Sequence, residues 1–292
     1  MSEDSFASAF YCTCADGYAR MSREAQAVLA DSVAQSQTTG GLFANIAGQP
    51  DLYYSFFGLL LAAVSGAKIN LRACLNALTA IDFPTLPLVQ AAAYLRALGL
   101  LRLLRRVPLS RRSQAVQTMA LPGKRLLPSL QQRPAQDFPQ HDPGSPYSLF
   151  LLQTLRRDCG LPALPVSLSA YRLPGGLYSN FRPATAYSVN ATAAALWVLP
   201  AELRGETAAA LQSRQRQDGS FAAAEGVPEG DLLSTATAGF SLRRCALPLH
   251  YPLADFLRGC FRDDALFAAT PGSPSSDLEY TAYGLLAMGG LP

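Results

Sequence analysis

A pattern that recurs four times along the chain restricts the fold more than any other feature of the sequence. Each copy has a glycine-containing turn, a variable stretch, a residue suited to start a helix, and then an apolar segment rich in small residues. The helix starts predicted from this pattern are Asp51, Thr185, Asp231 and Asp277. The last three are equally spaced, as a repeat architecture requires.

Amphipathic segments alternate with these apolar ones. A helix that is apolar all round must be buried, and an amphipathic helix can cover it with one face. The alternation therefore predicts an all-α fold, an α/α toroid in which about six inner and about six outer helices close into a ring. Two more inner helices are expected at 86–104 and 146–155, and the amphipathic segments are 22–37, 68–81, 113–121 and 206–217.

The repeats run through most of the chain, so we predict a single domain over residues 1–292. Residues 1–20 precede the first repeat and are interpreted as an N-terminal extension. The segment 127–145 is rich in proline and glutamine and is expected to be a long loop. Because repeats continue on both sides of it, this segment is not interpreted as a domain linker.

Composition narrows the functional classes. Hydrophobic residues make up 49% of the chain and charged residues 15%, which favours a large core with room for an apolar cavity. The net charge of +3 is too small to indicate a nucleic-acid binder. The longest apolar stretch, around 52–64, is shorter than a membrane helix needs, and the acidic start lacks a targeting signal. We therefore expect a soluble, cytoplasmic protein without a transmembrane segment.

Two motifs in the repeats resemble those of one known superfamily. The turn Gln217-Asp218-Gly219-Ser220-Phe221, followed by a helix start at Asp231, is similar to the repeat of protein prenyltransferase β subunits and squalene (terpene) cyclases. The glycine turns and the aromatic helix that begins at Asp51 are similar too, and the resemblance extends from about residue 39 to the C-terminus. It implies a toroid with a cavity for an isoprenoid-like ligand and an α-helical protein partner.

The catalytic residues of this superfamily are not retained. The resemblance places its zinc-binding Asp-x-Cys on Asp231 and Leu233, and its zinc-binding histidine on Tyr280. Leucine and neutral tyrosine are not ordinary zinc ligands. The acid motif Asp-x-Asp-Asp of the cyclases is also missing. We therefore predict that the chain uses neither a metal nor another cofactor.

Carboxylates at the helix starts have two interpretations. Asp51, Asp231 and Asp277 stand where a helix N-cap is needed, and capping accounts for all three. Glu279 follows in the first turn of the last helix, where an apolar surrounding raises the pKa of a carboxyl and suits it to acid or base chemistry. The candidate catalytic residues are therefore Asp231, Asp277 and Glu279.

Aromatic residues gather near the same helix starts, and they are the candidate ligand-binding set. Buried tyrosines need partners for their hydroxyl groups, which favours a cavity with a wet end over a filled core. A filled inner core is the other interpretation. The predicted ligand-binding residues are Asp51, Tyr53, Tyr54, Tyr187, Tyr280 and Tyr283, with Phe56 and Phe57 beside them.

Two further clusters carry chemistry. Arg102, Arg105 and Arg106 form the centre of the densest positive charge and are expected to bind an acidic partner or another anion, or else to be a solvated helix end. Cys12 and Cys14 form a Cys-x-Cys, for which a metal or redox role stays open, although the four-ligand spacing of a structural zinc site is absent.

These patterns lead to one hypothesis with two alternatives. The leading hypothesis is a zinc-free toroid that binds an apolar, isoprenoid-like ligand or a protein segment and works as a subunit of an enzyme complex, in a hetero-oligomer. The alternatives are a prenyltransferase or cyclase that uses carboxylates at the ring mouth, and a scaffold for a partner enzyme. In each case Asp231, Asp277, Tyr280 and either Tyr53 or Tyr54 should meet at one end of the ring, because parallel helices bring their N-termini together.

Overall fold

The computed structural model describes residues 5–123 and 144–291, and this part of the chain is mostly helical. Its strands are only two residues long and form two antiparallel pairs, which agrees with the predicted all-α class. Most of the predicted loop at 127–145 lies outside the described residues. None of the helices in the described ranges has the length and apolar character needed to cross a membrane.

Twelve α-helices and four short strands make up the described ranges. They are α1 (Phe6–Ala19), α2 (Arg23–Gln35), β1 (Phe43–Ala44), β2 (Pro50–Asp51), α3 (Leu52–Ser65), α4 (Leu71–Thr79), α5 (Leu88–Arg106), α6 (Arg112–Val116), α7 (Pro146–Asp158), α8 (Val189–Val198), α9 (Ala201–Gln212), α10 (Leu232–Arg244), α11 (Ala254–Cys260), β3 (Phe267–Ala268), β4 (Ser276–Asp277) and α12 (Leu278–Gly289).

Six of these helices contact one another in a cyclic order. Helix α3 contacts α5, α5 contacts α7, α7 contacts α8, α8 contacts α10, α10 contacts α12, and α12 contacts α3 again. These six include every helix predicted from an apolar segment. Four others pack against members of the cycle: α2 on α3, α4 on α5, α9 on α8 and α10, and α11 on α12.

The second set of helices is smaller than the six predicted, as far as the described ranges extend. Between α7 and α8 the chain forms only the 3-10 turn Ser169–Tyr171. Pro162, Pro165 and Pro174 fall in this connection, and proline interrupts a helix because it lacks an N–H donor. The amphipathic segment at 113–121 is likewise reduced to the short α6.

The helix starts follow the predicted capping chemistry with one correction. The carboxylates of Asp51, Asp231 and Asp277 accept hydrogen bonds from the backbone N–H three residues on, at 3.0, 2.8 and 2.8 Å. The prediction of Thr185 was wrong, because Ser188 caps α8 by accepting from the N–H of Ala191. The backbone N–H of Ser188 also donates to the carbonyl of Tyr178, which joins the start of α8 to the preceding turn.

In four of the capped helices, α3, α8, α10 and α12, a buried hydroxyl also binds the preceding turn. The backbone N–H of an aromatic residue in the turn donates to a serine or threonine one turn into the helix, and that hydroxyl donates to the carbonyl of the capping residue. The four aromatic–hydroxyl pairs are Phe43–Ser55 at 2.8 Å, Tyr178–Thr192 at 3.0 Å, Phe221–Thr235 at 2.9 Å and Phe267–Thr281 at 3.0 Å.

Residues 6–19, predicted as part of an extension, form a helix that packs inside the molecule. Helix α1 contacts α3, α6, α7 and α12. It crosses α12 so closely that a Cβ atom at Gly17 would collide with the backbone oxygen of Leu285, and one at Gly289 would collide with the backbone oxygen of Thr13. Helix α1 therefore approaches α12 backbone to backbone, which only residues without side chains allow.

Candidate functional site: a central apolar cavity

A cavity of about 730 Å³ lies among the six helices of the cycle. This volume is within the range of roughly 300–1,000 Å³ that is usual for small-molecule sites. Every one of the six helices contributes to its wall, and α1 contributes Phe6 and Phe10. Representative wall residues, one from each helix of the cycle, are Tyr53, Arg96, Phe150, Trp197, Phe240 and Tyr283.

The two ends of the cavity differ in composition. At one end, first-turn or capping residues such as Asp51, Ser188 and Leu233 line the wall, so the helix N-termini surround this end, which we call the rim. At the other end, which we call the floor, Phe6 and Phe10 of α1 contact residues that lie beyond the first turn of the six helices. The rim is therefore polar and the floor aromatic.

Ring contacts account for the packing of the floor. The ring of Phe6 meets those of Phe150 and Trp197 edge to face, each with centroids 5.0 Å apart. Trp197, the single tryptophan of the chain, also lies 5.3 Å from Phe240 and donates its indole N–H to the hydroxyl of Ser241 at 3.1 Å. Aromatic faces in this arrangement suit an apolar occupant.

Carboxylates and tyrosines meet next to the rim. The hydroxyl of Tyr53 donates to Oε1 of Glu279 at 2.7 Å, and the hydroxyl of Tyr54 donates to Oδ2 of Asp277 at 3.2 Å. Burial raises the pKa of Glu279 to about 7, while the Tyr53 hydrogen bond lowers it and the charges of Asp277 and Asp51 raise it. Glu279 therefore exchanges a proton near neutral pH.

The aspartates of this region are committed to capping. Burial raises the pKa of Asp231 and of Asp277, and the backbone N–H groups that each of them caps lower it. Tyr280 is electrostatically coupled to both aspartates and to Glu279. The capping interpretation thus has direct geometric support, and the catalytic roles of Asp231, Asp277 and Glu279 stay predictions.

The predicted ligand-binding residues divide into two groups. Four of them, Asp51, Tyr53, Tyr187 and Tyr283, line the cavity, as do Phe56 and Phe57. Tyr54 and Tyr280 are absent from the described residues that line it, and they lie instead beside Asp277. Leu233, at the position where the resemblance places a thiolate, is part of the cavity wall.

Arg96 is the main residue of the cavity that the sequence patterns did not indicate. It is 8% exposed, lies in the middle of α5, and is the one cation among the described residues that line the cavity. Its Cζ lies 4.8 Å from the ring centroid of Phe6, and its Nη2 donates to the hydroxyl of Thr154 at 3.0 Å. The signal that could have identified it is a lone charge within the apolar stretch 88–101.

Arg102, Arg105 and Arg106 lie on the exposed side of the last turns of α5. With Arg72 of α4 they border two grooves whose apolar parts are leucines, among them Leu75. Neighbouring Arg112 has a different role, because it is buried and donates to the backbone carbonyls of Val107 and Ala63 at 3.1 and 3.0 Å.

The cysteine pair does not assemble a binding site in the described residues. Cys12 Sγ faces the carbonyl of Ser113, whereas Cys14 Sγ is buried against the carbonyl of Ala282. Within residues 5–123 and 144–291, no group of three or more His, Cys, Asp or Glu side chains is arranged to hold a metal ion.

Comparison with known proteins adds no assignment. Neither the models of protein families nor the curated proteins match the chain.

Proposed function

We propose that the chain is a zinc-free α/α toroid of the prenyltransferase-β and terpene cyclase type that binds an apolar, isoprenoid-like ligand in its central cavity. The observation that carries this proposal is the aromatic cavity of about 730 Å³ to which all six helices of the cycle contribute. The cyclic order of helix contacts supports the toroid, because an open array of helices would leave its first and last members apart.

Membership of an enzyme complex is a second part of the proposal. The arginines beside the leucine-lined grooves of α4 and α5 suit an acidic protein surface, since guanidinium groups pair with carboxylates in a bidentate fashion. All six cysteines are free thiols, which suits the reducing cytoplasm in which we place the protein.

A titration with 1-dodecanol, followed by fluorescence, tests the cavity directly. Trp197 is the single tryptophan and lines the cavity, so an apolar occupant should change its emission. Replacing Ala194 of the wall with phenylalanine should fill part of the space and weaken binding while leaving the protein folded. The matched control is Ala209→Phe on the exposed side of α9, which should leave binding unchanged.

The outcome also separates the proposal from a scaffold role. A packed core has no space for a phenyl ring, and overpacking destabilises a protein by roughly 1–3 kcal/mol. If Ala194→Phe lowers the free energy of unfolding, and if 1-dodecanol does not change the emission of Trp197 in the wild type, the scaffold hypothesis replaces ours.

A catalytic role is the second candidate, and Glu279 is the residue that favours it. Its carboxyl has a pKa of about 7 and is hydrogen-bonded to Tyr53, which lines the cavity, so it can donate or accept a proton near a bound ligand. Incubation with farnesyl diphosphate or farnesol and analysis of products by mass spectrometry tests this role. Product that forms with the wild type and not with Glu279→Gln would support it.

A further inference from the structure

The chemical class of the ligand can be inferred from the one cation in the cavity wall. Arg96 lies two turns into α5, roughly 12 Å along the helix axis from its start at the rim. It is 8% exposed and lies between the rings of Phe6 and Phe56, at 4.8 and 5.9 Å from their centroids. A full positive charge is therefore held deep in an apolar space.

The hydrogen bonds of this guanidinium are incomplete. Of its five N–H donors, the described residues accept one bond, from Nη2 to the hydroxyl of Thr154 at 3.0 Å. Its Nε is buried without a partner in the described part of the chain. Burial lowers the pKa of Arg96, yet arginine does not lose its proton in proteins, so the guanidinium stays charged and keeps N–H donors that no described residue accepts.

The acidic group that interacts electrostatically with Arg96 makes its hydrogen bonds to other residues. Asp158, which is 3% exposed, interacts with Arg96 electrostatically, but its Oδ1 accepts from the hydroxyl of Ser5 at 2.7 Å. Both of its oxygens also face the N–H of Ala7 at 3.3 Å, so the carboxylate caps the start of α1. The remaining electrostatic partners of Arg96 are the tyrosines Tyr53, Tyr147 and Tyr283, which are neutral at physiological pH.

We propose that the cavity binds an amphipathic monocarboxylate, a long apolar chain with one carboxylate head, and that the head pairs with Arg96 near the floor. This inference rests on the apolar-ligand function proposed above and adds the head group. The guanidinium fork matches the two oxygens of a carboxylate, and such charge-assisted pairs are the strong ones in a dry site. The chain then lies against the aromatic wall toward the rim.

The charge balance favours a single negative charge on the ligand. Asp51 is the one other charged residue among the described residues of the wall, and it is negative and caps α3 at the rim. A dianionic phosphate or a diphosphate head would bring at least one negative charge beyond the one that pairs with Arg96, at a desolvation cost of several kcal/mol per buried ion. A carboxylate brings only the one charge that pairs with Arg96.

The test compares three molecules with the same chain: dodecanoate, 1-dodecanol and dodecyl phosphate. Their binding to the wild-type protein is measured by the fluorescence of Trp197 and checked by native mass spectrometry. Dodecanoate should bind at least about tenfold more tightly than 1-dodecanol, and more tightly than dodecyl phosphate. This series needs no variant, so it decides even if a substitution at Arg96 prevents folding.

The outcomes separate the two proposals. Equal binding of the three molecules would overturn the carboxylate inference and leave the apolar-ligand function standing. Tightest binding of dodecyl phosphate would likewise overturn the choice of head group. If none of the three binds, the proposed function fails and this inference fails with it.

A variant adds a readout that a purely structural arginine would not give. Arg96→Met removes the charge and keeps an apolar side chain, and Arg102→Met on the exposed face of α5 is the matched control. The Arg96 variant should lose the preference for dodecanoate over 1-dodecanol, whereas Arg102→Met should keep it. A lowered melting temperature with an unchanged preference would assign Arg96 to packing and overturn the inference.

Discussion

The rim and the floor of the cavity both bury charge, and they do so in different ways. At the rim, Glu279 is partly buried, bonded to Tyr53, and has a pKa of about 7, so it can become neutral by taking up a proton. At the floor, Arg96 is more deeply buried and keeps its charge. A buried acid can thus be accommodated by proton uptake, whereas a buried guanidinium keeps both its charge and its N–H donors. Because the Nε of Arg96 has no partner among the described residues, the floor and not the rim indicates the ligand.

The two ends also differ in how they are constructed. The rim is made by a local device repeated in sequence, the capping residue with its hydroxyl one turn later. The floor depends on α1, which comes from the start of the described chain and packs across the helices by a backbone contact at Gly17 and Gly289. Changes that disrupt the floor should therefore leave the rim intact, whereas changes that disrupt the rim should also disturb the floor. Four sets of variants test this difference.

Gly17→Val should have the largest effect, because its side chain would collide with the backbone of Leu285 and displace α1. We expect a loss of about 3 kcal/mol in the free energy of unfolding, at the upper end of overpacking costs. Chemical denaturation of the variant measures it. Gly205→Ala in α9 is the control, because no atom lies near the added methyl group, and it should stabilise by about 0.5–1 kcal/mol. Equal effects of the two changes would show that the floor does not depend on this crossing.

Glu279 should make the rim sensitive to pH. Its pKa is raised from 4.5 to about 7 in the folded protein, so its contribution to stability is complete below pH 4.5 and is lost as the pH rises through 7. The loss amounts to at most about 3 kcal/mol. Glu279→Gln should therefore be more stable than the wild type at pH 8, with little difference at pH 4.5, as measured by thermal unfolding at both values.

Tyr53→Phe supplies the control for this pH dependence. The hydroxyl of Tyr53 lowers the pKa of Glu279, so its removal should raise that pKa and move the loss of stability to higher pH. If Tyr53→Phe does not shift the dependence of stability on pH, or if wild type and Glu279→Gln show the same dependence, a group other than Glu279 titrates.

Thr235→Val should cost about 2 kcal/mol, because it leaves the buried N–H of Phe221 without an acceptor. Thr235→Ser keeps the hydroxyl and should cost less than half as much. The free energy of unfolding of both variants shows whether Thr235 stabilises the protein through its hydrogen bonds or only through packing. If serine and valine destabilise equally, the repeated hydroxyl has no bonding role.

The sequence predicted the rim well and the floor hardly at all, for a physical reason. Asp51, Asp231 and Asp277 cap helices through contacts three residues away, so their roles can be inferred locally. The prediction of a helix start at Thr185 was wrong because nearby Ser188 caps α8 instead. The positions of Phe6 and Arg96 depend on which helices surround them, and no local pattern contains this information. The aromatic–hydroxyl pairs were missed although their spacing recurs in the sequence.

Thr154→Val should have the smallest effect and the most direct bearing on the floor. The change preserves the shape of the side chain and removes the one described acceptor of the Arg96 guanidinium. Since the rest of the guanidinium is already incompletely paired, we expect a loss of about 1 kcal/mol without ligand, near the net value of one hydrogen bond. Dodecanoate should restore part of this loss, because its carboxylate replaces the missing acceptor. Thermal unfolding with and without dodecanoate measures both effects, and 1-dodecanol serves as the uncharged control. A loss of 3 kcal/mol or more that dodecanoate does not reduce would make Thr154 and Arg96 a structural pair. The floor would then need no ligand to complete its hydrogen bonds.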